Sequence, residues 1–361
     1  MTNAVTIAQL ASSTSPIGYR NRLINGSFDL WQRGTSFTSY SGNPYTADRW
    51  KVGYQDDGAY YNQVTSDLAS FNYFMRMTKG GSSYGSHMVQ QAIETQNTPD
   101  MIGQWVTFSC WARLSNTTTQ ASHDFNMALG FSVSTDYSGW LNSADICSYY
   151  ARWTSAGAQG VTFQAGTTST NPSTPQQSAG TLTTSWQRFY YTLLVPSNTK
   201  TIVTGMYSEN TLQNGGIDVV GAQFELGTVP TPFERRHIEQ EFLMADRYYQ
   251  KTYYPTTAPG TSQSDFQGMV GRTGLSGLTS TGEIFLSTLF RRKMRTTPTV
   301  YVYDRAGTIN KVSGTNYLVA DYDGFNVSYR HVNLTGFGIS SSGNSNAIGG
   351  ISYHYTADAE I

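Results

Sequence analysis

From residue 23 onward, short runs of alternating apolar and polar side chains are separated by clusters of Gly, Pro, Asn, Asp and Ser. A period of two places successive side chains on opposite faces of a strand. Runs at 45–54, 60–64, 72–77, 105–114 and 125–133 therefore predict strands. Between residues 104 and 113, Val106, Phe108, Cys110 and Ala112 share one face while Thr107, Ser109 and Arg113 share the other, the pattern of a half-buried strand. Further strands are expected at 160–163, 186–195, 201–207 and 217–226, and their spacing predicts an antiparallel sandwich. Residues 166–185, rich in Ser, Thr, Pro and Gln, read as one long loop because strands of the same kind resume directly after it.

The period then changes to about 3.6 residues. Thr231-Pro232-Phe233-Glu234 has the form of a capping box with Pro at the first helical position. Ile238, Phe242, Ala245 and Tyr249 follow on one face, so a connecting helix is predicted over 231–252, ending before Pro255. Strand signals return at 266–271, 283–290, 299–304, 317–322, 325–331 and 348–356, with Asp323-Gly324 as a hairpin turn. All seven tryptophans lie between Trp31 and Trp186, so the first domain is expected to hold every one of them. The predicted order is an arm (1–20), a sandwich domain (21–230), the helix, and a smaller antiparallel β domain, itself expected to be a sandwich (253–361). The arm carries no aromatic before Tyr19 and is expected to order on a partner.

Composition narrows the function. Charged residues are only 13% of the 361-residue chain and the net charge is −1, so no basic field exists to draw in nucleic acid through its phosphates. Aromatics reach 14%, with 25 tyrosines, more than a core of this size uses, which leaves rings for binding surfaces. No apolar stretch approaches the roughly 20 residues of a membrane span. The N-terminus lacks the basic-then-apolar order of a signal peptide, so synthesis in the cytoplasm is expected. Cys110 and Cys147 have no second Cys or His at ligand spacing, and two buried thiols are expected in preference to a disulfide.

No phosphate-binding glycine loop, HExxH pair or GxSxG elbow occurs, and the five histidines are scattered. Of the carboxylate pairs, Asp56 and Asp57 would point to opposite faces of a strand, while Asp321 and Asp323 could share a face at a spacing that suits an inverting enzyme, but Asp323 belongs to the expected turn, so no glycosidase pair survives. Asp29 and Asp218, near the two ends of the first domain, are candidates for a structural Ca²⁺, against ordinary turn capping. The best binding surface is the cluster of Tyr137, Trp140, Tyr149, Tyr150 and Trp153, whose rings would meet the C–H faces of a sugar while neighbouring polar groups take its hydroxyls. The same rings also suit a core. The basic run from Arg291 to Arg295 is expected to be a solvated strand end or an interface.

Asn21-Arg22-Leu23-Ile24-Asn25-Gly26-Ser27-Phe28-Asp29-Leu30-Trp31-Gln32-Arg33-Gly34, followed by Tyr45-Thr46-Ala47-Asp48-Arg49-Trp50, resembles the opening of a domain found in bacteriophage tail fibres and related tail proteins. The likeness continues through Gly103 to Ser109, Trp186-Gln187-Arg188, Gly221-Ala222-Gln223-Phe224-Glu225-Leu226-Gly227, Pro232-Phe233-Glu234-Arg235-Arg236 and Arg247-Tyr248-Tyr249. A weaker match covers Met294 to Val300 and Tyr303 to Gly307. The resemblance implies a mainly β chain with a jelly-roll β-sandwich similar to a carbohydrate-binding module, a virion tail location and a homotrimeric fibre. It further implies attachment to host surface polysaccharide and contact with other phage tail proteins, for which the N-terminal arm is the expected anchor. It fixes no sugar-binding residue. The leading expectation is a non-enzymatic adhesin without a cofactor; a purely structural tail component and a polysaccharide depolymerase are the alternatives.

Overall fold

A computed structural model of the chain describes residues 19–39, 44–55, 59–80, 85–115, 123–137, 161–166, 181–211, 215–264, 267–273, 284–315, 321–341 and 350–361. The chain is mainly β and forms two compact units. The first takes residues up to Asp29, then Thr35–Arg236 and Ile361; the second takes Leu30–Gly34 and His237–Glu360.

The first unit is a sandwich of two antiparallel sheets. One has six strands in the order Ser36–Ser39, Ala59–Thr65, Tyr73–Lys79, Gly216–Leu226, Trp105–Leu114 and Gln187–Leu194. The other has five: Lys51–Gln55, Gly85–Ile93, Thr201–Thr211, Asn126–Ser132 and Val161–Gly166. The chain crosses repeatedly from one sheet to the other. The inward set of the Trp105–Leu114 strand is as predicted, with Val106, Phe108, Cys110, Ala112 and Leu114 all at most 1% exposed, but the strand is not half-buried: Thr107, Ser109 and Arg113 on its other face are also buried, at 0%, 1% and 9%. Contacts between Cys110 Sγ and Met127 Sδ at 4.0 Å, and between the rings of Phe125 and Phe189 at 5.1 Å, join the inner faces.

Facing strands must carry both of their surfaces somewhere, and the Gly85–Ile93 strand, absent from the expectations, shows why it was hard to read. Its Gln90 and Gln91 are buried at 3% and 2%, and Gln91 exchanges hydrogen bonds with the backbone of Ile24. A buried glutamine satisfied by main chain looks polar in the sequence yet behaves as core.

The second unit is built on the long Gly350–Asp358 strand. The short strands Tyr249–Lys251, Val270–Thr273, Thr299–Tyr303 and Lys311–Thr315 all pair with it. Lys311–Thr315, Asp321–Arg330, Gly336–Ser341 and Ile284–Leu289 then continue the sheet. Met294, Val302, Val312, Ile339, Tyr353 and Tyr355 form the centre of its core.

Three expectations are corrected. The helix spans only Ile238–Ala245, and His237 Nδ1, not Thr231, accepts the first free N–H, that of Glu239. Thr231 is instead captured by the Gly216–Leu226 strand: its N–H and Oγ1 donate to the Glu225 carboxylate at 2.9 and 2.6 Å, while the Glu234 N–H donates to Gln223 Oε1 at 2.7 Å. Two buried acceptors outcompete a helix cap because leaving them unmet would cost about 1–3 kcal/mol each. Tyr249 lies in a strand, and Ile238 is 39% exposed, so the predicted apolar face is not one continuous helical surface. Second, Asp323-Gly324 is no hairpin turn. The Asp321–Arg330 strand runs through it, with Gly324 at φ +92° opposite a register shift between Val312 and Gly314. Third, Trp31 belongs to the second unit. There Lys251 Nζ donates to the Gln32 carbonyl and the Arg33 guanidinium lies 3.7 Å from the centre of the Tyr249 ring.

Candidate functional site

Four of the five expected glycan-binding rings, Trp140, Tyr149, Tyr150 and Trp153, lie outside the described residues. Tyr137 is half-buried, its backbone N–H donates to Thr201 Oγ1 at 3.1 Å, and burial pushes its phenol upward.

The candidate calcium pair serves two separate sets of ion pairs. Asp29 accepts from Ser27 Oγ at 2.9 Å and meets Arg235 at 3.4 Å; burial raises its carboxyl. Asp218 is fully buried, and its two oxygens accept from Arg76 Nε at 2.7 Å, Arg76 Nη2 at 2.9 Å and Arg113 Nε at 3.0 Å. Two guanidiniums engage its oxygens, so Asp218 serves as an ion-pair anchor. Among the described residues no group of three or more His, Cys, Asp or Glu could hold a metal.

The segments that carry the family resemblance converge in space. Asn21 Oδ1 accepts from the N–H groups of Leu23 and Phe224, and its Nδ2 donates to the Ala222 carbonyl. Asn25 Nδ2 donates to the Asp48 carbonyl, and Trp50 Nε1 donates to the carbonyl of Asn25. Arg236 donates to the carbonyls of Asn21 and Leu23. A Cβ on Gly26 would stand 2.1 Å from the Ala222 oxygen, so only glycine allows this approach. Residues around 21–28, 48–50, 221–225 and 234–236 thus make one buried hydrogen-bonded scaffold. They do not present a ligand surface.

One end of the outer face of the six-stranded sheet, where Asp67 and Trp186 reach solvent, does. Ser36, Asn62, Arg76, Asp218 and Arg113 lie directly opposite one another on five neighbouring strands. At roughly 4.8 Å per strand, this polar row runs about 19 Å across the sheet. Beneath it Phe74, 1% exposed, supports both guanidiniums, whose centres are each 5.3 Å from its ring. At the end of the row Trp186 stands half-exposed, edge-on to Phe74 at 5.5 Å with the Arg113 guanidinium 4.4 Å from its ring. Asp67 closes the group: one oxygen accepts from Arg113 Nη1 at 2.6 Å and the other from Trp186 Nε1 at 3.0 Å. The Arg113 hydrogen bond holds the Asp67 carboxyl below its usual range. Elsewhere on the same sheet Trp105 and Leu194 sit opposite each other, 39% and 49% exposed.

The sequence reading treated Arg113 as an outward polar position and Trp186 as part of a family motif, and it brought neither together with Asp67. The alternation pointed outward correctly; the pairing of distant strands that assembles the row lies beyond any single run. In the second unit a cavity of about 420 Å³ is lined by Val270, Gly271, Phe285, Leu286 and Ser287, none of which titrates.

No protein-family model matches the chain, and no curated protein matches it. Solved structures do show likeness. The enzymatically active domain of bacteriophage CBA120 tailspike protein 4 is 12% identical, with a TM-score of 0.33 over 58% of this chain and 22% of that one. A xylan-binding domain of carbohydrate-binding module family 22 is 14% identical, with a TM-score of 0.31 over 53% of this chain and 100% of that one. A putative sugar-binding protein from Bacteroides thetaiotaomicron is 11% identical, with a TM-score of 0.34 over 57% of this chain and 100% of that one. The chain spans less than a third of the tailspike, and likewise 29% of a Clostridium thermocellum xylanase 10B that it also resembles. These are likenesses of outline, and no residue role passes from them to this chain.

Proposed function

We propose that the chain is a non-enzymatic, glycan-binding component of a phage tail that attaches the virion to polysaccharide on the host surface. The observation that carries the glycan part is Trp186, held half-exposed with its indole fixed by Asp67 and Arg113 at the end of a polar row. A ring fixed before the ligand arrives loses little freedom on binding, and flanking charged hydrogen-bonders suit sugar hydroxyls. The virion setting, the homotrimer and the anchoring of the arm to other tail proteins rest on the order of motifs between residues 21 and 250.

The electrostatics of the two carboxylates on the same face support the non-enzymatic reading. A glycosidase acid must keep its proton near neutral pH, which takes a carboxyl raised by its surroundings. Arg113 does the opposite to Asp67. Asp218 lies fully buried between two arginines, where no glycosidic oxygen can reach it.

A second reading, a purely structural tail component, has its own support: the motif residues are spent on scaffold hydrogen bonds. Titration of purified protein with host envelope polysaccharide separates the two. Saturable binding that weakens about tenfold in Trp186→Ala, the loss of about 1–1.5 kcal/mol of ring contact, supports the adhesin. Absence of saturable binding by the unaltered protein leaves the structural reading, and release of reducing ends would reinstate an enzyme.

A further inference from the structure

We infer that the Trp186 face takes an uncharged sugar chain and that Asp67 is the residue that excludes acidic ones. This rests on the glycan-binding reading above and adds a specificity to it.

The row brings together two guanidiniums and two carboxylates, so its formal charges cancel. Both arginines are already engaged by carboxylates of the protein: Arg76 meets Asp218 through Nε and Nη2, and Arg113 meets Asp218 through Nε and Asp67 through Nη1. The charge of each guanidinium is thus matched within the protein before any ligand arrives. Exposure sharpens the point. The Asp67 side chain is 62% exposed, whereas those of Arg76 and Arg113 are 16% and 11% exposed. A sugar approaching the Trp186 ring meets an anion first, with the cations behind it.

A uronate or sialate would therefore face like-charge repulsion from Asp67 and could reach Arg113 only by breaking that residue's 2.6 Å ion pair. A neutral sugar breaks nothing: its hydroxyls can donate to the free lone pairs of the Asp67 carboxylate while a C–H face covers the indole.

The test uses the full-length protein on a microbial glycan array that carries neutral chains and chains containing uronic or sialic acid. The expected result is binding confined to neutral chains, with at least tenfold stronger signal than on acidic ones. Asp67→Asn, which removes the charge but keeps the shape, is expected to raise the acidic-to-neutral ratio at least tenfold, with the gained binding lost as salt rises. Acidic chains bound by the unaltered protein as well as neutral ones would overturn the inference and leave the glycan reading standing. An unchanged ratio in Asp67→Asn would remove Asp67 as the determinant. Binding to no member of either class would overturn the glycan reading, and this specificity with it.

Discussion

Acidification tests the second unit through His354. This side chain is 1% exposed, its Nδ1 lies 3.1 Å from Thr252 Oγ1, and the Tyr253 ring stacks on it at 3.8 Å. Among the described residues its Nε2 has no hydrogen-bond partner. Burial holds the imidazole down at about 4, against 6.5 when unfolded. The folded unit thus keeps His354 neutral over a range in which the unfolded chain takes up a proton, and its stability falls as pH drops from 6.5 towards 4, levelling off below that. Between pH 7.5 and 4.5 the loss from this group is roughly 2–3 kcal/mol. Asp246 in the same unit is raised by burial and works in the opposite direction, but it is present in wild type and variant alike. The comparison is therefore wild type against His354→Gln, which keeps a polar partner for Thr252 and cannot titrate. Hydrogen-exchange mass spectrometry on peptides covering Gly350–Asp358 reads the opening free energy of this unit by itself, without assuming that the whole chain unfolds in one step. If both proteins lose the same protection between the two pH values, the buried-neutral account of His354 is wrong.

Other outcomes follow from the same geometry. Asp218→Asn leaves Arg76 and Arg113 without their shared buried carboxylate and is expected to cost about 3 kcal/mol, read as a lower midpoint in denaturant unfolding monitored by tryptophan fluorescence. Gly26→Ala drives a methyl to within 2.1 Å of the Ala222 oxygen; a loss of about 1–3 kcal/mol is expected by the same assay, and an unchanged midpoint would show that the scaffold yields easily. Cys110 is a free, buried thiol pushed strongly upward by desolvation, so a thiol-alkylating reagent should label it only after denaturation, as peptide mapping by mass spectrometry would show.

Much of the fold was legible along the chain because a strand's two faces are written in its own alternation. The Trp105–Leu114 and Gly216–Leu226 strands were found to within a residue or so, since their inward apolar sets are large. The Gly336–Ser341 strand was missed because Gly-Phe-Gly-Ile-Ser-Ser offers only two large apolar side chains, and its place is set by pairing with Ile284–Leu289 and Asp321–Arg330. The helix start was misplaced because Thr231 and Glu234 satisfy every local rule for a cap, while the groups they bond, Gln223 and Glu225, lie 6 to 11 residues away and are buried.

The sequence by itself determined that this is a mainly β protein, where several of its strands run, and that its net charge is only −1. Those are properties of periods and sums, which local sequence holds completely. Only the tertiary structure decided that Asn62, Arg76, Asp218 and Arg113 form one row, that Asp67 and Trp186 close its end, and that the segment around Trp31 belongs to the second unit. Strand order and register bring together residues more than a hundred positions apart, and long-range hydrogen bonding, not any local preference, selects them.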